Sequence, residues 1–203
     1  MNGSQHISID AKKDARSRIL EAAGEIFSEY GYREATVRQI CKKAGVNTAA
    51  INYHFRDKES LYIETVRYWK DIAFQEYPID PGICEDAPAE TRLEAFIRSF
   101  IMRIFSQGKQ SWFGKLMARE FIEPTRALDA IVDETIRPSL NALSSIIRQL
   151  SGEAASKEEV FLSCASIVGQ CLYFFYARPV IEKILDKKEF KEEEIDKVIG
   201  HVI

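Results

Sequence analysis

The sequence predicts an all-α protein: an N-terminal three-helix helix-turn-helix domain followed by a larger helical domain. Three observations carry this. Apolar residues recur at helical spacing along most of the chain, from Ile19 to Val202. Two S/T-x-x-E/Q boxes, Thr36 with Gln39 and Ser156 with Glu159, have the spacing that caps a helix start. Gly31, Gly45, Pro78, Gly108, Pro124 and Gly152 stand where apolar runs stop.

Residues Met1 to Asp10 lack periodicity and read as an arm. The first helix starts near Asp10–Asp14, with Ile19, Ala22, Ala23, Ile26, Phe27 and Tyr30 as its apolar stripe and Gly31 at its end. Lys12, Lys13, Arg16 and Arg18 cluster at its start, either as solvated charge or as phosphate contacts. The second helix begins at Val37 behind the Thr36 cap and turns Val37, Ile40, Cys41 and Ala44 inward. Gly45 ends it, where a left-handed residue is needed. Asn47 or Thr48 caps the third helix, whose Ile51 and Phe55 point inward at i and i+4. Counted from Val37, a small residue stands fifth (Cys41), glycine ninth and Ile51 fifteenth. The small residue lets the helices cross, the glycine turns the chain and the isoleucine plugs the gap between them. This is the helix-turn-helix pattern, the unit that lays its second helix in a DNA major groove.

Asp57 caps a fourth helix running to about Tyr77, with Tyr62, Thr65, Val66, Trp69, Ile72 and Ala73 buried and Pro78 as its stop. It is the only covalent lever between the two domains, divided here as 1–57 and 58–203. A Pro/Gly/acidic connector (78–88) follows. The fifth helix, about Ala89 to Ser106, has a broad apolar face from Leu93 to Phe105. The sixth carries Trp112, Phe113, Leu116, Met117 and Phe121. A long seventh helix is expected from Thr125 to Leu150, kinked by Pro138 one-third to halfway along. The eighth, after the Ser156 cap, reads VFLSCASIVGQCLYFFYA and is apolar nearly all round. A short helix and a terminal amphipathic helix close the chain.

The outward face of the third helix separates a nucleic-acid reader from a plain helical hairpin. Thr48, Ala49, Asn52 and Tyr53 point away from Ile51 and Phe55 and are small or hydrogen-bonding rather than long and charged. Asn suits adenine, and Thr or Ala methyls suit the thymine methyl. Locally, Arg33, Arg38, Lys42, Lys43, Arg56 and Lys58 outweigh Glu34 and Asp57. The net charge of −3 hides this asymmetry: residues 1–70 hold 12 basic and 9 acidic side chains, the remainder 16 and 22.

GVNTAAINYHFRDKESLY, with ILEAAGEIFSEYGYREATVRQI before it, resembles the N-terminal DNA-binding domain of the TetR family of repressors, over roughly Ala15 to Val66 without a gap. Cys41 stands where the family more often has Ala. The resemblance implies a homodimer that binds a palindromic operator through two such units and releases it when a small molecule enters the C-terminal domain. It also implies that Tyr53 and His54 contact the DNA backbone. The candidate DNA-binding residues are thus Thr36, Arg38, Asn47, Thr48, Ala49, Asn52, Tyr53, His54 and Lys58, with Lys58 at a helix N-terminus as a phosphate clamp. Residues 112–143, WFGKLMAREFIEPTRALDAIVDETIRPSLNAL, are similar to the C-terminal domain of the CecR-like subgroup of TetR regulators.

A helix apolar on all sides is buried on all sides. Cys164, Val168, Cys171 and Phe175 make one seam at spacings of four, three and four, beside Ala165 and Gly169, which permit close approach. With Leu143 and Ile147 they are expected to form a four-helix dimer interface. Candidate residues for an effector cavity are Phe96, Phe100, Trp112, Met117, Phe121 and Tyr173, with Arg119 and Glu120 as charges that either pair internally or meet an anionic ligand. For the aromatic residues ordinary core packing is the competing reading.

Composition closes off other classes. The four cysteines form no CxxC pair and the three histidines are scattered, so neither a metal site nor a disulfide framework is indicated, and no cofactor is implied. There is no nucleophile–base pair and no phosphate-cradling glycine loop, so an enzyme is not expected. No apolar run reaches membrane-spanning length and MNGSQHISID is not a signal peptide, so a cytoplasmic location is expected. The remaining alternative is a DNA-binding regulator without a small-molecule effector, acting as a constitutive repressor or an activator.

Overall fold

The computed structural model describes residues 14–80, 82–84, 86–105, 108–152, 154–186 and 192–203; the expected arm, with Lys12 and Lys13, lies outside them. All regular elements among the described residues are helical. The chain divides into two compact units, Met1–Tyr68 and Trp69–Ile203.

In the first unit, α1 (Ala15–Glu34) starts where the Ser17 N–H donates to the Asp14 carboxylate at 2.7 Å. That bond holds the Asp14 carboxyl below its ordinary pKa. Ile19, Leu20, Ala23 and Phe27 are fully buried. Gly31, expected to end this helix, breaks its regularity at φ 76, and the chain makes one more turn to Glu34. α2 (Val37–Ala44) has the expected capping box: the Gln39 N–H donates to Thr36 Oγ1 and the Thr36 N–H to Gln39 Oε1, at 3.2 and 2.8 Å. Gly45 takes φ 65, and α3 (Thr48–Phe55) starts on Asn47, whose side chain accepts the Ala50 N–H at 3.1 Å. Only Arg56 separates α3 from Asp57. Its φ of 72 and ψ of −55, with the Asp57 N–H donating to the Phe55 carbonyl at 2.9 Å, describe a γ-turn of the rare, strained hand. α4 (Lys58–Glu76) is capped by Asp57, which accepts the Ser60 N–H at 2.7 Å. The boundary between the units falls within α4 rather than at its start, since Tyr62 packs edge-on to Phe27 with ring centroids 4.9 Å apart.

The second unit begins with the rest of α4 and continues through α5 (Ala89–Phe105) and α6 (Ser111–Ile122), joined at the latter's start to a 3₁₀ turn (Gly108–Gln110). Gly114 of α6 lies against α5: a Cβ there would stand 3.4 Å from the Ile104 carbonyl oxygen, an ordinary contact distance, so the two backbones approach closely. The expected kinked seventh helix is three pieces: α7 (Ala127–Ile131), a π-helical turn (Val132–Ile136) and α8 (Arg137–Ser151). Ile131, Val132, Ile136 and Arg137 at the junctions are all α-helical, so the winding runs on from Ala127 to Ser151 as one long helix and Pro138 stands just after its wide turn. The wide turn moves the preceding carbonyls away from its ring, which a regular α-helix would not. α9 (Lys157–Tyr176), α10 (Arg178–Ile184) and α11 (Glu192–Val202) complete the chain. The core gathers Ile97 and Ile101 of α5, Leu143 and Ile147 of α8, Cys164 and Cys171 of α9, and Val198 and Ile199 of α11.

The second capping box forms at the start of α9, where the Glu159 N–H donates to Ser156 Oγ at 3.2 Å and the Ser156 N–H to Glu159 at 2.8 Å. Ser156→Ala is expected to destabilise the chain by about 1 kcal/mol, read as a lower urea midpoint. The Ser156 N–H first, and its hydroxyl second, hold the Glu159 carboxyl below its ordinary pKa of 4.5. A carboxylate depressed on folding stabilises above its ordinary value and loses that contribution as pH falls through the folded one. The stability gap between the parent and Glu159→Ala should therefore be full at neutral pH and shrink as pH falls below the ordinary glutamate value. A gap independent of pH would show that Glu159 takes no part in the cap.

Candidate nucleic-acid interface

The helix-turn-helix separates two faces within eight residues. Ile51 is fully buried and Phe55 nearly so, which locks α3 to its neighbours. Thr48, Ala49, Asn52 and Tyr53 are exposed, Tyr53 at 84%. An exposed tyrosine beside a small, polar surface has no role in packing. Thr36, Arg38 and Asn47 are also exposed and lie at the starts of α2 and α3, on the same motif. His54 is half-buried, its ring edge-on to Tyr53 at 4.9 Å. The structure thus brings eight of the nine sequence-derived candidates onto one motif with its outward face open. The ninth, Lys58, is held differently. Its ammonium lies 4.7 Å from the Tyr32 ring centroid and donates to the Arg33 carbonyl at 3.2 Å, and partial burial lowers its pKa. As placed, it closes the end of α1. Of the basic residues at the start of α1, Arg16 pairs with Glu64 at 2.8 Å and lies over the Phe55 ring, while Arg18 is exposed.

The second unit holds a cavity of about 250 Å³ among α4, α5, α6, α8 and α9 and the π-helical turn. Phe96, Phe100, Met117 and Phe121 line it as the sequence suggested. The other expected lining residues are corrected. Trp112 packs edge-on against Trp69 at 4.6 Å, which makes it core. Tyr173 is 60% exposed on the outside of α9. Glu120 is buried and accepts the N–H and hydroxyl of Thr125 at 3.0 and 2.9 Å, tying α6 to the chain that enters α7. Arg119 is half-buried and is not part of the lining. The charge that does line the cavity is Arg103 of α5, only 2% exposed. Its place was legible: Phe96, Phe100 and Arg103 stand at i, i+4 and i+7, one helical stripe.

The expected dimer seam is also corrected. Leu143, Ile147, Cys164 and Cys171 are buried in the chain's own core, and Val168 and Phe175 pack against it. Burial pushes the Cys171 thiol up to about 12, as befits an inert core side chain. The other side of α9 is the open one, with Phe161, Leu162, Tyr173 and Tyr176 exposed around Ala165 and Gly169. By length and composition alone α9 could cross a membrane, contrary to the expectation that no run would. A reader helix on a helix-turn-helix, with α9 lodged by one face in a helical core, makes it a core helix with a second apolar face.

Two family models cover this architecture. Residues 19–65 match that of the bacterial regulatory proteins of the tetR family, and residues 89–203 match the C-terminal domain of the HTH-type transcriptional dual regulator CecR. The chain belongs to the TetR family of transcriptional regulators. Within that family it is similar to the HTH-type transcriptional dual regulator CecR of Shigella flexneri, at 27% identity over 91% of this chain and 86% of that protein. The TetR fold is shared with solved structures of much lower identity. AibR in complex with isovaleryl coenzyme A and operator DNA superposes with a TM-score of 0.68 at 19% identity, covering 93% of this chain and 97% of that one. A transcriptional regulator from Saccharomonospora viridis in complex with choline also has a TM-score of 0.68, at 17% identity and 93% coverage of each chain. As members of this family are transcriptional regulators, this TetR-family chain is one and not an enzyme.

Proposed function

We propose that the protein is a homodimeric repressor that binds a palindromic operator through α3 and leaves it when a small molecule occupies the α5–α9 cavity. The observation that carries the reading is the open outward face of α3, set on a helix whose other face is fully packed. In this reading Asn52, Thr48 and Ala49 meet base edges. Thr36, Arg38, Asn47, Tyr53 and His54 meet the backbone and fix the register. Lys58 reaches phosphate only by leaving the Arg33 carbonyl. The reading part is the first compact unit and the effector part the second, with α4 running from one into the other. The protein works in the cytoplasm, where operator DNA is, and needs neither metal nor cofactor. The neighbour complex that holds isovaleryl coenzyme A together with operator DNA supports a regulator that takes a small molecule, as does a cavity in this chain. Ligand shifts the population only if it binds the DNA-free state more tightly.

The dimer is assigned to the open face of α9. Leu162→Glu combined with Tyr173→Glu is expected to give a folded monomer by analytical ultracentrifugation, and with it a loss of operator binding, since a twofold operator needs two readers. A double variant that sediments as the parent does would remove this face from the interface. Met117→Trp, which fills the cavity, is expected to leave operator affinity intact while abolishing ligand-induced release. Release that persists in that variant would place the effector site elsewhere.

A further inference from the structure

The cavity is walled almost wholly by carbon. Phe96, Phe100, Phe113, Leu140, Leu143 and Leu172 line it from α5, α6, α8 and α9, and nearly all the surface that the lining presents is apolar. The polar side chains among the described lining residues are Arg103, Thr135, Ser139 and Cys164. Three of these are engaged within the protein. Arg103 donates to the Tyr77 carbonyl at 2.5 Å and to Ser99 Oγ at 3.0 Å, with its guanidinium carbon 4.4 Å from the Phe74 ring centroid. Its charge is thus answered by the chain itself. Ser139 Oγ donates to the Thr135 carbonyl at 2.8 Å, and Ser144 Oγ lies 3.6 Å from Cys164 Sγ. Thr135, in the π-helical turn, is buried.

We propose that the cavity takes an uncharged molecule that is hydrocarbon over almost all its surface, of the size of one aromatic ring with a short alkyl chain. The reason is solvation. An ion entering this space exchanges its water for walls of carbon, and an unanswered charge is far too costly to bury. A hydroxyl or an amide gives up hydrogen bonds on the same terms at smaller cost. A hydrocarbon gives up none and gains with each part of its surface removed from water. Cavities with such walls stay dry, so no ordered water has to be displaced, and one of about 150 Å³ lined by Leu, Ile and Phe binds benzene. A volume of about 250 Å³ leaves room for a ring and a short chain beyond it. The phenylalanine rings of the lining offer faces and edges against which a ring can stack or stand edge-on.

The inference rests on the reading of this cavity as the effector site, and the experiment separates the two. Ethylbenzene, benzyl alcohol, benzylammonium and benzoate, each one ring with a short tail, are titrated into the full-length chain at neutral pH and followed by calorimetry. Ethylbenzene is expected to bind, benzyl alcohol to bind roughly tenfold more weakly or worse, and neither ion to bind at concentrations that saturate with ethylbenzene. Met117→Trp, which fills the same space, should abolish ethylbenzene binding. Any of the three polar probes binding the parent chain as tightly as ethylbenzene would overturn the inference, and this comparison needs no variant to fold. If Met117→Trp blocks that polar probe, the effector reading survives without the preference for hydrocarbon. If ethylbenzene binds a folded Met117→Trp as it binds the parent, its site is elsewhere and the inference fails. If none of the four probes binds the parent, both fall together.

Discussion

Asn52→Ala is expected to weaken operator binding by about 1–3 kcal/mol at each half-site, roughly ten- to a hundredfold, without changing the stability of the chain. Asn52 is exposed on α3, so truncating it removes no packing. What it removes is a side chain able to donate and accept at once against an adenine edge. In a twofold complex both half-sites lose it. The loss should be largest on the preferred duplex, found by selection from random sequence with the parent chain. It should be smaller on duplexes already altered at the position that Asn52 reads, because the interaction is then absent from both. Fluorescence anisotropy on matched and mismatched duplexes measures this directly. Tyr53→Ala should weaken matched and mismatched duplexes alike. If both variants bind as the parent does, the reading face has been misassigned.

The neighbouring residue gives the opposite result. Ile51 is fully buried beneath α3. Ile51→Ala removes the plug between the two helices of the motif and is expected to cost about 2–5 kcal/mol, a large share of the roughly 5–15 kcal/mol that holds a domain folded. Urea unfolding should show a much lower midpoint, and operator binding should fail on every duplex equally, matched or not. Side by side, Ile51→Ala and Asn52→Ala tell loss of the scaffold from loss of the reader. A stable Ile51→Ala variant would show that α3 is held by something other than this contact.

The reading unit was legible because its signals are local. A capping box, a glycine that must turn left-handed and a small residue at a crossing each act within a few positions, and α2 and α3 start and stop where those residues place them. The second unit was less so. The apolar pattern of α9 announced two buried faces but could not say which belonged to the chain's own core. The seam chosen, through Cys164 and Cys171, is the internal one, and the open face runs through Leu162 and Tyr173 instead. Arg103 was passed over because a charge was not counted into the stripe of Phe96 and Phe100, although its spacing put it there. Trp112 and Tyr173 show the converse: an aromatic side chain in the right stretch does not tell whether it faces core, cavity or solvent. The π-helical turn had only Pro138 as a local sign, and proline alone does not distinguish a bend from a change of winding.

The joint at Arg56 has a mechanical consequence. A three-residue reversal closed by its own hydrogen bond has almost no slack, so α3 and the start of α4 behave like two arms of a rigid crank rather than rods on a string. In the proposed mechanism a rotation of the start of α4 would be carried to α3 through this joint. A longer or looser joint would absorb small angular changes.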